Sequence, residues 1–209
     1  SDNILPIKNL NQKIAYVKLG DDVNSTFVST LKKYTEVVEI QSDTIDSLLV
    51  KLKEFSTVIV GFHKSDKAWK KHDFTEKELQ WLQEIAKNNT VILDAFTKPY
   101  SLSSINSFSD IEAVVLSYQN ADIAQEVSAE LIFGAIDSQG KLPVSINEEF
   151  PVNHGIEFEK INRLGFTAPE NVGMSHEILS QIDKIADKAI SQKMTPGMQI
   201  LVARRGKVI

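Results

Sequence analysis

Short apolar runs alternate with helix-like segments along the first 150 residues of this chain. Each run is about six residues long and rich in Val, Ile, Leu and Phe, which is typical of a buried strand. The pattern predicts six strands, at residues 13–19, 35–40, 57–62, 90–95, 113–118 and 142–146. Strands of nearly continuous apolar character need helices on both faces. We therefore expect an α/β fold with a doubly wound, mostly parallel six-stranded sheet.

The intervals between these runs carry apolar residues at helical spacing. Residues 45–52 follow a potential N-cap at Asp43, and residues 123–131 end before Gly134. The clearest helix start lies at Thr75, because Glu78 three residues later completes a capping box. These signals place helices between strands, as the crossovers of a parallel sheet require.

The last part of the chain has a different charge balance. Residues 166–209 hold six Lys and Arg against four Asp and Glu, whereas the whole chain has a net charge of −5. Here Ser175 can cap a helix with one apolar face. Residues 198–203 then predict a strand that turns at Arg205 and Gly206 into a second strand. One helix and one to two strands cannot bury a core alone, so this extension indicates only the first part of a second domain.

Residues 148–169 lack a sustained apolar period and contain two prolines, Pro151 and Pro169, which is typical of a linker. The sequence therefore predicts three regions, an α/β domain at 1–150, a linker at 151–168 and the truncated second domain at 169–209.

The composition excludes several classes of function. The absence of cysteine excludes disulfides, thiolate metal sites and a cysteine nucleophile. The acidic net charge gives no general attraction to nucleic acid, and no apolar run reaches the roughly 18 residues of a membrane span. Glycine-rich nucleotide motifs and histidine pairs at helical spacing are also missing, so we predict no cofactor and no metal.

No residue of this chain is predicted to be catalytic. The Gly-x-Ser-x-Gly motif of serine hydrolases is absent, and Ser29 and Lys32 fit Ser-x-x-Lys only by letter, within an amphipathic helix. Asp21 and Asp22 follow the first strand, as in phosphoacceptor domains. The third strand, however, runs into His63, with no aspartate where the acceptor would belong.

The loop after the third strand has the most unusual local composition of the chain. Residues 63–73 contain two histidines, four lysines, two aspartates and one tryptophan. A tryptophan face beside polar groups suits a sugar or a protein partner. The predicted substrate-binding residues are His63, Lys64, Asp66 and Trp69. The alternative is a solvated crossing loop whose tryptophan lies against a helix. No arginine precedes Arg163, which favours a neutral ligand.

Several motifs together carry a family resemblance. Residues 133–146 read Phe-Gly-Ala-Ile-Asp-Ser-Gln-Gly-Lys-Leu-Pro-Val-Ser-Ile, and residues 3–9, 95–100 and 118–120 add an entry segment and two strand endings. In this order they resemble the second domain of glycoside hydrolase family 3. The resemblance covers residues 3 to 150.

The resemblance implies a larger enzyme. In most family members a preceding barrel domain supplies the aspartate nucleophile of a retaining mechanism. Some members take a second catalytic group, a glutamate, from the α/β domain. The β-N-acetylglucosaminidase-like members take a histidine and an aspartate from the barrel instead. The strand endings here look more like the latter, and no glutamate of this chain matches an acid/base motif. The implied partner of residues 1–150 is thus a barrel domain that this chain lacks.

The tail resembles another family. Residues 170–175 and 196–208 look like the opening of a class C β-lactamase-like serine hydrolase, whose Ser-x-x-Lys motif comes later in the chain. Together the two resemblances imply a non-catalytic piece of a β-N-acetylglucosaminidase fused to a serine hydrolase, acting on cell-wall glycan in a bacterial envelope. The alternative is a stand-alone glycan- or protein-binding α/β module.

Overall fold

A computed structural model describes residues 4–67 and 69–209 of the chain. These residues fall into two units, one ending at Ile161 and the other beginning at Asn162. The border between the units lies inside the range predicted as a linker, 151–168. Each unit has a sheet of its own.

The first unit alternates strands and helices. Its strands are β1 (Ile14–Gly20), β2 (Val37–Glu39), β3 (Thr57–His63), β4 (Thr90–Phe96) and β5 (Ile111–Leu116). Its α-helices are α1 (Ser25–Leu31), α2 (Ile45–Leu52), α3 (Glu76–Asn88) and α4 (Asp122–Ile132), and a 3₁₀ helix at Pro99–Ser104 follows β4.

All five strands are parallel and lie in the order β2-β1-β3-β4-β5. This order is the flavodoxin-like form of the doubly wound sheet, in which the chain switches direction between β1 and β3. The predicted α/β class is therefore confirmed. β3 is central, and all seven of its residues are buried, as its unbroken apolar sequence requires.

The core consists of two apolar layers, one on each face of the sheet. On one face, Leu52 of α2 and Leu82 of α3 pack with Val60 of β3. On the other, Phe27 of α1 and Ile132 of α4 pack with apolar residues of β1, β3 and β4. Helices cover both faces, and this explains why the strands are apolar on both sides.

The prediction of a sixth strand at 142–146 was wrong. Within the described residues, this segment forms no strand of the sheet. Its backbone bonds locally instead, since Leu142 N donates to His154 O and Ile146 N donates to Phe150 O. Pro143 has no N–H to donate to a ladder. Ile146 and Phe150 pack against the core, which accounts for the apolar pattern.

The helix starts follow the predicted chemistry with one exception. The capping box at α3 is confirmed, because Thr75 Oγ1 accepts from Glu78 N and Glu78 Oε2 accepts from Thr75 N. The predicted N-cap of α2 was one residue early. Thr44, not Asp43, accepts the bond from Ser47 N.

The second unit is small. It contains β6 (Gly165–Phe166), α5 (His176–Leu179), α6 (Gln181–Ser191), β7 (Ala203–Arg204) and β8 (Lys207–Val208). The Ser175 cap is confirmed, although the predicted helix is divided between α5 and α6. The hairpin turn is also confirmed, since Arg205 and Gly206 both have the positive φ that this turn requires. The prediction of a strand at 198–203 was largely wrong, because β7 begins only at Ala203.

No helix within the described residues is both long and apolar enough to cross a bilayer.

Candidate functional site

An open cleft lies at the carboxyl ends of β3, β4 and β5. Its volume is about 400 Å³. The loops after these three strands supply its walls, which consist of Asp66, His72, Thr97, Lys98, Tyr118 and Gln119. Ligands of doubly wound sheets bind at this edge, so the cleft is the candidate site.

The neighbouring switch point between β1 and β3 is filled by the protein's own charges. Lys64 is buried there, with its Nζ 3.6 Å from Glu78 Oε1 and 3.7 Å from Asp21 Oδ1. Glu78 Oε1 also accepts from Gly20 N at 2.8 Å. Lys64, predicted to bind substrate, therefore holds α3 to the end of β1.

His63 lies beneath the cleft, fully buried and stacked on Phe96 with ring centroids 4.4 Å apart. Burial lowers the pKa of its imidazole to about 4, so the ring is neutral at pH 7. Asn120 Oδ1 can only accept, so His63 Nδ1 donates to it over 2.7 Å. His63 Nε2 must then accept from the Tyr16 hydroxyl at 2.8 Å. Both ring nitrogens are thus used within the protein.

The hydrogen bonds continue on both sides of this histidine. Asn24 Nδ2 donates to the Tyr16 hydroxyl at 3.1 Å, and Gln125 Nε2 donates to Asn120 O at 2.9 Å. The packing at the Tyr16–His63 bond requires Gly61, because a Cβ there would lie 2.6 Å from the Tyr16 hydroxyl. A connected, satisfied network of this kind fixes one arrangement of its side chains.

The network holds a strained turn in the wall of the cleft. Tyr118 has a φ of 60°, and Gln119 N donates to Ser117 O at 2.6 Å. Together these features form a γ-turn, which is rare and strained for a bulky residue. Asn120 follows directly, and its N–H donates to both carboxylate oxygens of Asp66, at 3.1 and 3.2 Å. The strain is thus maintained at a candidate binding surface, where strained residues concentrate.

The four predicted site residues occupy two levels. Asp66 lines the cleft and Trp69 lies on the same loop with 79% of its surface exposed. His63 and Lys64 are buried below them. The sequence placed all four on one loop, but it contains no signal that separates the buried pair from the exposed pair.

Several cleft residues were missed as site residues. His72 Nε2 is buried at the cleft and has no hydrogen-bond partner among residues 4–67 and 69–209. Thr97 Oγ1 donates to His72 O at 2.9 Å. Thr97, Lys98, Tyr118 and Gln119 directly follow β4 or β5. Their positions in the sequence could have identified them, because the carboxyl ends of parallel strands meet at one edge of the sheet, where ligands bind.

A second buried polar group lies next to the turn. Asp94 is fully buried in β4, and its Oδ1 is 2.8 Å from Ser117 Oγ. Its Oδ2 is hydrogen-bonded to Ser128 Oγ, which lies 2.9 Å from Ser117 Oγ. Three hydrogen bonds thus connect Asp94, Ser117 and Ser128, but the two serine hydroxyls supply only two protons. A protonated Asp94 carboxyl supplies the third proton. Burial raises the pKa of Asp94 from 3.8 to about 7, which agrees with this proton count.

The described walls of the cleft are chemically mixed. It combines hydroxyl, amide, carboxylate and ammonium groups with an aromatic ring, which is the composition of a site for a polar organic ligand. Within residues 4–67 and 69–209, no group of three or more His, Asp or Glu side chains is placed to hold a metal ion.

The comparisons with known proteins show a similarity of fold only. No family model matches this sequence, and no curated protein matches it. Among solved structures, a beta-glucoside phosphorylase, BglX, bound to 2FGlc is similar over 64% of this chain and 26% of its own, with 13% identity and a TM-score of 0.50. The RcsB response regulator of Salmonella typhimurium is similar over 58% of this chain and 60% of its own, with 16% identity and a TM-score of 0.35. The fold is thus also found in part of a glycoside phosphorylase.

Proposed function

We propose that this chain is a non-catalytic part of a glycoside hydrolase of the family 3 type, acting on glycans that contain N-acetylglucosamine. In this proposal a barrel domain elsewhere in the protein carries out retaining hydrolysis, and the α/β unit supports it. The observation that carries the proposal is the cleft at the ends of β3, β4 and β5, with its strained Tyr118 turn. The likeness in fold to part of a beta-glucoside phosphorylase supports the same assignment.

The chemistry of the cleft supports a bordering role rather than a catalytic one. Most retaining glycosidases use two carboxyl groups that face each other across the glycosidic bond, about 5 to 5.5 Å apart, and the β-N-acetylglucosaminidase-like members resembled here take both catalytic groups from the barrel. Asp66 is the carboxylate among the described cleft residues, and both its oxygens accept from Asn120 N. An acid held in this way orients a loop and a ligand.

Residues 169–209 are proposed to open a class C β-lactamase-like serine hydrolase domain, whose remainder is then a partner. The exposed apolar surface of this region supports the proposal. Ile178 and Ile185 are 68% and 69% exposed, and no described residue of α6 is buried. Apolar stripes of this kind mark interaction surfaces.

A second candidate function is favoured by Trp69. An indole with 79% of its surface exposed is a feature of independent binding modules as well. In that case the α/β unit would hold a glycan or a protein partner by itself.

Titration of the 209-residue chain with chitobiose tests the bordering role. An open cleft covers only one side of a sugar, so we expect millimolar affinity, with amide shifts at Tyr118 and Gln119. Tyr118→Gly should abolish these shifts and raise the free energy of unfolding by up to about 1 kcal/mol, because glycine adopts a φ of 60° without strain. Tyr118→Phe keeps the ring and should bind like the wild type.

Micromolar binding would favour the stand-alone module over the proposed part of an enzyme. An absence of shifts up to the solubility limit of the sugar would contradict a role of the cleft in sugar contact. Turnover of an aryl N-acetylglucosaminide by the purified chain would contradict its non-catalytic role.

A further inference from the structure

The loop at the cleft is locally basic in an acidic protein. The chain has a net charge of −5, yet residues 64–73 contain four lysines and two aspartates. Lys64 is buried with its acidic partners. Lys67, Lys70 and Lys71 are exposed on the same loop, and the exposed Lys98 lines the cleft from the loop after β4.

Trp69 lies among these lysines and differs from the other tryptophan of the chain. Trp81 is partly buried and packs against the core. Trp69 is 79% exposed, with Lys67 Nζ 5.9 Å from the centre of its ring. Tryptophan is usually well buried, so an open indole beside an ammonium group forms a surface that is both apolar and cationic.

The loop that carries Trp69 is anchored at both ends to the other walls of the cleft. Asp66 at its start binds Asn120 N, which follows β5. His72 at its end accepts from Thr97 Oγ1, which follows β4. Lys70 N also donates to Lys67 O, which closes a turn beside Trp69. Asp66 and His72 both line the cleft, so the segment that carries the lysines and the indole begins and ends at the cleft wall.

We propose that the cleft binds a saccharide that carries an anionic group, with the sugar ring against Trp69 and the anion beside Lys70, Lys71 and Lys98. This inference rests on the proposed sugar-binding function and names its ligand class. The absence of arginine before Arg163 favoured a neutral ligand. We now infer an anionic one, because the exposed lysines supply the positive charge that binds it. Lysine is a point charge without the planar fork of arginine, so either a carboxylate or a phosphate satisfies it.

The inference is tested with three matched sugars, N-acetylglucosamine, its 6-phosphate and its C6 carboxylate, and with inorganic phosphate alone. In a Trp81→Phe background, fluorescence reports on Trp69 only. The indole N–H resonance of Trp69 in the wild type gives the same information if that variant does not fold. We expect both anionic sugars to bind at least about fivefold more tightly than the neutral sugar at low salt, with the difference shrinking in salt.

Matched lysine variants separate a local effect from net charge. The double variant Lys70→Gln with Lys71→Gln should lose about twofold to fivefold in affinity per lysine for the anionic sugars, and nothing for the neutral one. Lys53→Gln makes the same change of charge per residue at an exposed position just after α2, and it should have no effect.

Three results would overturn the inference. Equal affinity for the neutral and anionic sugars would leave a sugar cleft without anion selectivity. Phosphate binding as tightly as the sugar phosphate, with Trp69→Ala unchanged, would mean a simple anion site. If Lys53→Gln loses as much affinity as the double variant loses per lysine, the effect comes from the net charge of the protein. If chitobiose also fails to bind, the proposed function fails with the inference; if chitobiose binds, only the inference fails.

Discussion

Replacing Asp94 by asparagine is expected to stabilise the α/β unit at pH 8 by roughly 2 to 4 kcal/mol and to leave it nearly unchanged at pH 4. The folded state raises the pKa of this buried carboxyl from 3.8 to about 7. The stability that Asp94 provides is therefore present below about pH 4 and is lost as the pH rises through about 7. A tenfold change in a proton equilibrium is about 1.4 kcal/mol, so the full difference is roughly 4 kcal/mol.

The same variant should reveal an opposite pH dependence from His63. Burial lowers the pKa of this ring from 6.5 to about 4. Its contribution is present above about pH 6.5 and is lost as the pH falls toward 4. In the wild type the two slopes oppose each other. Asp94→Asn removes one of them, so its stability should decrease on acidification more steeply than that of the wild type.

Urea unfolding followed by tryptophan fluorescence between pH 4 and 8 measures both effects, because Trp69 and Trp81 lie in the first unit. The exposed Asp43→Asn variant is the matched control and should change stability by less than about 0.5 kcal/mol at either pH. If Asp94→Asn is no more stable than the wild type at pH 8, Asp94 is not held as a neutral acid.

Asn120→Ala should destabilise the α/β unit by about 2 to 4 kcal/mol. Asn120 is 5% exposed, accepts from His63 Nδ1 at 2.7 Å and donates to Val23 O at 2.8 Å. Truncation leaves a buried imidazole N–H without a partner, which costs more than a lost exposed hydrogen bond.

The variant also tests whether the network holds the cleft turn. Amide hydrogen exchange at Gln119, whose N–H donates to Ser117 O, should become faster in Asn120→Ala than global destabilisation alone explains. Asn88→Ala is the control, since Asn88 is exposed and its side chain donates to Glu84 O in the preceding turn of the same helix. Unchanged stability of Asn120→Ala, or exchange that follows global unfolding only, would contradict the positioning role.

The elements of the first unit were predictable where local chemistry decides the structure. The apolar runs identified all five strands, and Thr75 with Glu78 identified a helix start to the residue. The segment at 142–146 was misassigned because its alternating apolar residues also fit a loop that packs on the core. Periodicity reports burial of one face, and it does not report which backbone groups pair.

The site was predictable only in part, because it depends on residues far apart in the chain. The loop at 63–73 is recognisable from its composition, and Asp66 lines the cleft. The burial of His63 depends on Tyr16 and Asn120, which are 47 and 57 residues away. The triangle of Asp94, Ser117 and Ser128 likewise joins two strand ends and a helix. Such contacts become visible only with the sheet order.

The central claim is that this chain belongs to a larger hydrolase, and the mass of the native protein tests it most directly. Extracts of the source cells are separated on a denaturing gel and probed with an antibody raised against the α/β unit. We predict a band several times the 23.4 kDa of this chain, as a barrel domain and a second hydrolase domain require. A single band at 23.4 kDa would contradict the claim and favour the stand-alone binding module.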